Sequence, residues 1–346
     1  MSDRRVAVMV AGSWGTALAS VLADNGVEVR LWTRNADQAH EMKTEHTNRK
    51  ALGDAQLSER IRATTSAAEA IAGADTVLFV APSAGMREVA RLASPHITAG
   101  MSIIHATKGF EMETLKRMTT VLAEELPQTD PRRIVVLSGP SHAEEVIRRC
   151  PTTVVVAAEE VSAAEQAQDL LINAYFRVYT NPDVTGVEVA GALKNIIALG
   201  AGLSDGLSFG DNAKAALLTR GLAEISRLGV AMGAHALTFT GLAGVGDLVV
   251  TGTSRHSRNW RAGYMLGQGK GLEEVLQSMG MVVEGVKTAK AAYALAKEYA
   301  IPMPITEQLQ QVLFEGKAPE AAVRDLMGRG RTHEIEEVAA DSGKYT

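Results

Sequence analysis

The chain is predicted to be α/β in two parts. Residues 1–181 read as a doubly wound, mostly parallel sheet, residues 182–335 as an all-helical segment, and residues 336–346 as a frayed tail. Three observations predict this. Short apolar runs alternate with helical patterns as far as Thr180, the pattern of strands joined by crossover helices. A glycine turn, Ala11-Gly12-Ser13-Trp14-Gly15, joins the first apolar run to the first helical pattern. Beyond the chain-breaking triplet Asn181-Pro182-Asp183 the strand pattern stops and helical periodicity takes over.

Residues 5–10 are compact and apolar and read as the first strand, and Thr16, Leu18, Val21 and Leu22 mark the helix after the turn. Such a strand, turn and helix bring backbone N–H groups and the positive end of a helix dipole to a pyrophosphate. The dinucleotide fingerprint wants glycine at positions 10, 12 and 15; Gly12 and Gly15 comply, whereas position 10 is Val10. A β-branched residue there either fits an extended backbone or stores strain, and its methyls are expected to crowd the pyrophosphate.

The run 27–33 reads as the second strand. At its end an NAD site places an acid for the ribose 2'-hydroxyl, but this chain has Thr33-Arg34-Asn35. Arg34 suits a 2'-phosphate, so NADP is expected ahead of NAD; the plainer alternative is a solvated arginine. Residues 47–60 read as loop. Further strands are expected at 76–80, 102–106 and 134–138, with a helix at 85–92, and then at 152–158 and 176–180 around a helix at 162–172. Ligands of such sheets sit at the carboxyl ends of the strands, which singles out Ala81-Pro82-Ser83, Thr107-Lys108-Gly109 and Gly139-Pro140-Ser141.

In the second part, residues 186–203 form an apolar, small-residue stretch with one cation, Lys194. On a helix its neighbours are Val187, Ala190, Gly191, Ile197, Ala198 and Ala201, so the lysine projects from an apolar stripe. A buried ammonium has a lowered pKa and becomes a proton donor or acceptor near neutrality, unless it snorkels to water. Helices are also expected at 212–232, 256–266, 284–299, 305–314 and 319–327. Two stretches read as polar loops: 241–248, carrying Asp247, and 251–259, whose hydroxyls, arginines and amide suit phosphate or carboxylate. Solvated turns are the plainer reading of both.

Other chemistries are excluded. The net charge of -5 provides no basic footprint for nucleic acid. The single cysteine, Cys150, rules out a disulfide framework and suggests a reducing compartment, and the histidines lack metal-ligand spacing, so no metal is expected. With no signal-like apolar region and no uncharged run of membrane-spanning length, a cytoplasmic protein without membrane insertion is expected. His142 reads as a helix-start residue.

These stretches together resemble the bacterial NAD(P)-dependent glycerol-3-phosphate dehydrogenase family, over roughly residues 6–334. The similarity is carried by residues 11–18, Thr107-Lys108-Gly109, residues 138–146, Gly191-Ala192-Leu193-Lys194-Asn195, Gly244-Val245-Gly246-Asp247-Leu248, Ser257-Arg258-Asn259 and Val282-Val283-Glu284-Gly285. The resemblance implies reversible reduction of dihydroxyacetone phosphate, a phosphorylated triose, to sn-glycerol 3-phosphate for glycerophospholipid synthesis. It implies a Rossmann-type N-terminal domain, a helical C-terminal domain and a homodimer. It makes Lys194 the acid/base, with Asp247 beside it. Lys108, Gly139, Ser141, Asn195, Ser257, Arg258 and Asn259 would hold the substrate. Gly12, Ser13, Trp14, Gly15, Arg34, Lys108, Ala143, Arg258, Val282 and Glu284 would line the cofactor site.

Three residues depart from the family pattern of glycine at 10, an aromatic residue at 51 and proline at 53: Val10, Ala51 and Gly53. They predict altered cofactor affinity with the chemistry residues intact. Two rival readings follow from the same features. A related two-domain hydroxyacid dehydrogenase would use Ser257-Arg258-Asn259 for a carboxylate, and a dinucleotide-binding regulator without turnover would have no use for Lys194 and Asp247.

Overall fold

The computed structural model describes residues 4–280, 282–331 and 333–334, so the tail assigned to 336–346 lies outside the described residues. Its first half is one eight-stranded sheet. The strands are β1 (Arg5–Met9), β2 (Glu28–Trp32), β3 (Ile61–Thr64), β4 (Thr76–Phe79), β5 (Ser102–His105), β6 (Val135–Ser138), β7 (Thr152–Ala157) and β8 (Phe176–Asn181). Their order is β3-β2-β1-β4-β5-β6-β7-β8. All pairs are parallel except β6 with β7, so the last two strands run against the rest. The chain moves outward from β1 to β3 and then returns to β4. The reversal leaves a crevice at the carboxyl ends of β1 and β4, the place where such sheets bind ligands.

Between the strands lie α1 (Ser13–Asp24), α2 (Ala36–Thr44), α3 (Arg49–Leu52), α4 (Ala67–Ile71), α5 (Met86–Ala93), α6 (Met118–Glu125), α7 (Ala143–Val146) and α8 (Val161–Leu171). Leu18, Leu22, Ala164 and Leu171 of α1 and α8 bury one face of the sheet, and Ile71, Met86 and Leu122 of α4, α5 and α6 bury the other. Two expectations need correction here. The stretch 47–60 is not all loop, because it holds α3, and β3 follows it as an unforeseen edge strand. Four residues that alternate Ile61, Arg62, Ala63 and Thr64 are too short a pattern to stand out.

The second half contains α9 (Val184–Gly206), α10 (Asp211–Ala231), α11 (Asp247–Thr253), α12 (Arg258–Gly267), α13 (Leu272–Met279), α14 (Glu284–Glu298), α15 (Pro304–Phe314) and α16 (Pro319–Met327). The chain break before α9 works as a cap: Asp183 accepts from Gly186 N at 2.8 Å, and its other oxygen takes His235 N and the Thr238 hydroxyl. Helix α9 is long and apolar enough by composition to span a bilayer, yet 94% of its apolar window is buried inside the fold. It is a core helix around which α10, α11, α12 and α14 pack. Gly202 and Gly263 let α9 and α12 touch through their backbones, since a Cβ at either would sit 1.9 Å from a carbonyl oxygen of the other helix.

The two stretches read as polar loops are largely helical. Leu242–Gly246 form a π turn that runs directly into α11, so Asp247 stands on a first helical turn. Thr251 to Thr253 complete α11, and α12 begins at Arg258 rather than at residue 256. Helix α13 was not anticipated either.

Candidate active site

The carboxyl ends of β5 and β6 face the middle of α9. There Gly191 leaves room for the Ser138 hydroxyl, whose Oγ lies 2.8 Å from where a Cβ on Gly191 would stand, and it lies against the stem of Lys108. Lys108, on the loop after β5, donates to Asp247 Oδ2 at 2.6 Å and to the Gly139 carbonyl at 3.2 Å. The Ser141 hydroxyl donates to the same carbonyl at 2.9 Å. From α9, Lys194 donates to Asp247 Oδ1 and, at 2.6 Å, to the Thr251 hydroxyl. Lys194 is 5% exposed and Asp247 1%, so the lysine does not snorkel to water.

One buried carboxylate therefore serves two ammonium groups. Burial alone would raise the pKa of Asp247, but Lys108 and Lys194 override it and hold the carboxyl below the ordinary aspartate value. Lys194 moves the other way: burial, reinforced by the like charge of Lys108 and opposed by Asp247, brings it down to about 7. His142 is the N-cap residue of α7, as the sequence suggested, yet its ring lies 5.9 Å from that of His256 and its Nε2 is buried without a partner among the described residues. Burial, then the charge of Lys194, lowers its pKa.

A second strip adjoins the cluster. Asn259 donates to Asn195 Oδ1 at 2.8 Å and accepts from Gly285 N at 2.8 Å, which ties α12 to α9 and α14. Ser257 caps α12 by accepting from Trp260 N. Arg258 opens that helix close enough to Glu284 to draw on its charge. Glu284 accepts from the Ser83 hydroxyl at 3.4 Å, and burial raises its pKa against the pull of Lys287 and Arg258.

At the other wall the N-terminus of α1 is bare. Gly12 is an extended N-cap with no side-chain bond, the first turn carries no acidic residue, and a Cβ on Gly12 would meet nothing within 4 Å. The unpaired N–H groups of this turn fit a pyrophosphate, the donor set a dinucleotide needs. Gly15 lets α1 close on β1, because a Cβ there would lie 2.1 Å from the Val10 carbonyl oxygen. Ser13 donates to the Ala51 carbonyl at 2.8 Å, a bond indifferent to the side chain at 51. Gly53 has φ 63°, beyond the reach of proline, so this turn ends differently from one with proline there. Trp14 packs half-buried against the core beside α1, and Ala143 is buried at the start of α7.

Val10 does not fit the extended backbone that would have made it harmless: its φ is 89°. Its half-buried side chain packs against the core cluster that α4 and α5 help to form, which accounts for its tolerance. Arg34 and Val282 are not drawn into the cluster. Arg34 is exposed and meets Glu88 at 3.4 Å, and Val282 is 42% exposed. Sequence reasoning passed over Thr251 as an individual. It lies four residues after Asp247, one helical turn, a relation that disappears when the segment is read as loop. A cavity of about 340 Å³ opens at the opposite, amino ends of the central strands beside Arg5, Ser102 and Arg133, but those arginines already pair with Glu28 and Glu160.

A bare helix N-terminus on a doubly wound sheet, set against a buried lysine and carboxylate from a helical second part, defines a nicotinamide-dependent dehydrogenase. The comparisons make the assignment particular. Residues 5–164 match the family model described as NAD-dependent glycerol-3-phosphate dehydrogenase N-terminus, and residues 183–324 match its C-terminus. The chain is similar to glycerol-3-phosphate dehydrogenase [NAD(P)+] of Bacillus subtilis, with 56% identity over 97% of each chain. The enzyme of that name from Geobacillus thermodenitrificans is 57% identical over 96% of this chain and 97% of its own. A crystal structure of glycerol-3-phosphate dehydrogenase from Coxiella burnetii is 40% identical, covers 94% of this chain and 99% of its own, and superposes with a TM-score of 0.90. The chain belongs to the NAD-dependent glycerol-3-phosphate dehydrogenase family, and is an NAD(P)-dependent oxidoreductase.

Proposed function

We propose that this chain reversibly reduces dihydroxyacetone phosphate to sn-glycerol 3-phosphate with NAD(P)H, as a cytoplasmic homodimer feeding glycerophospholipid synthesis. The observation that carries the reading is the sharing of Asp247 by Lys108 and Lys194 at the carboxyl ends of β5 and β6. A lysine brought down to about 7 gives up and regains a proton near neutrality.

The division of labour follows from position. Gly12, Ser13, Trp14 and Gly15 would hold the pyrophosphate end of the cofactor, with Arg34 at the adenosine 2'-phosphate and Ala143, Val282 and Glu284 on the remaining walls. When bound, the nicotinamide supplies the hydride for the carbonyl carbon. Lys194 donates its proton to the ketone oxygen as charge grows there, and takes it back in the reverse direction. Asp247 stays ionised throughout, keeping both lysines in place. Lys108, Gly139, Ser141 and Asn195 line the substrate; the bond from Asn259 would leave the Asn195 amide N–H groups for a substrate oxygen. Ser257, Arg258 and Asn259 anchor the phosphate, Arg258 also reaching the cofactor. Closure of residues 1–181 on 182–335 as two domains would exclude water from the hydride path.

The test is decay of NADPH absorbance on adding dihydroxyacetone phosphate, with a 2-keto acid as control. Decay with the triose phosphate alone is expected. Decay only with the keto acid, or with neither, overturns the reading.

A further inference from the structure

Away from the reacting groups, three donors from one short stretch of chain converge on a single carboxylate of α9. Glu188 accepts from the Thr119 backbone N at 2.8 Å on Oε1 and from Arg117 Nη1 at 2.5 Å on Oε2, and His105 Nε2 stands 3.3 Å from Oε1. His105 is the last residue of β5, while Arg117 and Thr119 flank the first residue of α6. Between these anchors lies the loop that carries Lys108. The loop is doubled back on itself, with Phe110 bridging to Arg117 and Glu111 N bonded to the Lys116 carbonyl at 3.0 Å.

The three contact points on α9 are Glu188, Gly191 and Lys194, spaced by three residues. Side chains so spaced lie on neighbouring parts of one helix surface, each about 4.5 Å further along the axis. Glu188 holds both roots of the loop, Gly191 lies against the stem of Lys108, and Lys194 meets the tip of Lys108 through Asp247. A carboxylate buried in this way is retained at a cost, since ion pairs in the interior gain little over apolar packing. The Arg117 guanidinium, the Thr119 backbone N–H and the His105 ring around it give it a positional function instead.

We propose that Glu188 is a positioning residue for the reaction: by clamping both ends of the 106–116 loop to α9, it sets where the Lys108 amine stands relative to Lys194 and Asp247. The inference rests on the reading of Lys108 as a substrate-site group. Misplacing a reacting group by about 1 Å costs on the order of a hundredfold in rate, so a loosened clamp is felt in turnover before it is felt in cofactor binding. The α1 turn that receives the pyrophosphate shares no bond with the clamp.

The experiment is a double-mutant cycle on the full chain. Glu188→Gln keeps the volume and removes the charge. It is expected to lower kcat/KM for dihydroxyacetone phosphate by about tenfold or more, with the dissociation constant of NADPH changed by less than about twofold. Made in a Lys108→Met background, which has already lost the amine to be positioned, the same change should cost less than about twofold. A general structural role would instead weaken both constants and multiply through in both backgrounds, and that result overturns the proposal. So does wild-type kcat/KM in Glu188→Gln. Should that variant fail to fold, Arg117→Met, at a partly exposed position, releases one root of the loop and is read by the same cycle. If Lys108→Met alone keeps full activity, it is the substrate-site reading of Lys108 that falls.

Discussion

The two walls of the site are built on opposite principles. The α1 turn is made of backbone: its donors are amides, its one strict steric demand is at Gly15, and it has absorbed a valine at an unfavourable φ by packing that side chain into the core. The Lys194 wall is made of side chains from α9, α11 and the β5 loop, buried at Lys194 and Asp247 and half-buried at Lys108, so each member's position depends on the others. A backbone site takes substitution gradually. A shared-carboxylate site has no neutral way to lose a member that must move a proton.

The sharpest way to break this contrast is Lys194→Met. The variant leaves Asp247 paired with Lys108, so it should fold and bind NADPH nearly as before while kcat falls roughly 10²–10⁴-fold. Retention of more than about a tenth of wild-type kcat would falsify the assignment. The same lysine fixes a sign with pH. Its protonated form is the donor, so ketone reduction should decline as pH rises through about 7, and alcohol oxidation should increase over the same interval. Two limbs with the same slope would remove Lys194 from the proton path.

Arg258→Ala comes next. Losing a charge-assisted contact costs roughly 1.5–3 kcal/mol, or about one to two orders of magnitude in kcat/KM for the phosphorylated substrate. Unchanged steady-state kinetics would show that the phosphate is held elsewhere. On the backbone wall, Val10→Gly relieves a strained φ and removes the methyls expected to crowd the pyrophosphate, so NADPH should bind more tightly by up to about tenfold, roughly 1.4 kcal/mol, with kcat little changed. Equal or weaker binding by calorimetry would mean that the packing of Val10 fully offsets its strain. The smallest effect is expected from Arg34→Ala, whose present partner is an exposed glutamate. It should narrow a preference for NADPH over NADH, and equal dissociation constants in the unmutated protein would contradict the role.

Much of the fold was legible because periodicity is local. The strands β1, β2 and β4 to β8 and the helix bearing Lys194 announce themselves in windows of a few residues. The apolar stripe around Lys194 was readable too, at helical spacing, but it left burial and snorkelling open until the fold placed the lysine inside. Helix α11 and the π turn before it were hidden by their glycines, which serve close packing: a Cβ at Gly244 of the turn would stand 1.9 Å from the Phe239 carbonyl oxygen, and one at Gly252 of the helix would stand 2.7 Å from Leu218. The pairing of Lys194 with Asp247 joins residues 53 apart, and that of Lys108 with Asp247 joins residues 139 apart. No spacing rule reaches such distances, and only similarity to a family suggested that these groups meet. The clamp at Glu188 left no trace in local pattern at all, because its donors come from a strand end, a loop and a helix start.

Helix α9 also shapes the birth of the protein. It is synthesised after the whole sheet and before the helices α10, α11, α12 and α14 that enclose it. About 90 residues separate its end from the end of α14, which at roughly 5–20 residues per second is about 5–18 s of translation. Early in that interval a segment with the length and apolarity of a membrane anchor has only the sheet available to cover it. The glycines along it make it a poor autonomous helix and delay its full ordering until α12 arrives to touch its backbone. Misrecognition by the insertion machinery, or aggregation, is therefore a hazard of the half-made chain that the finished enzyme no longer shows.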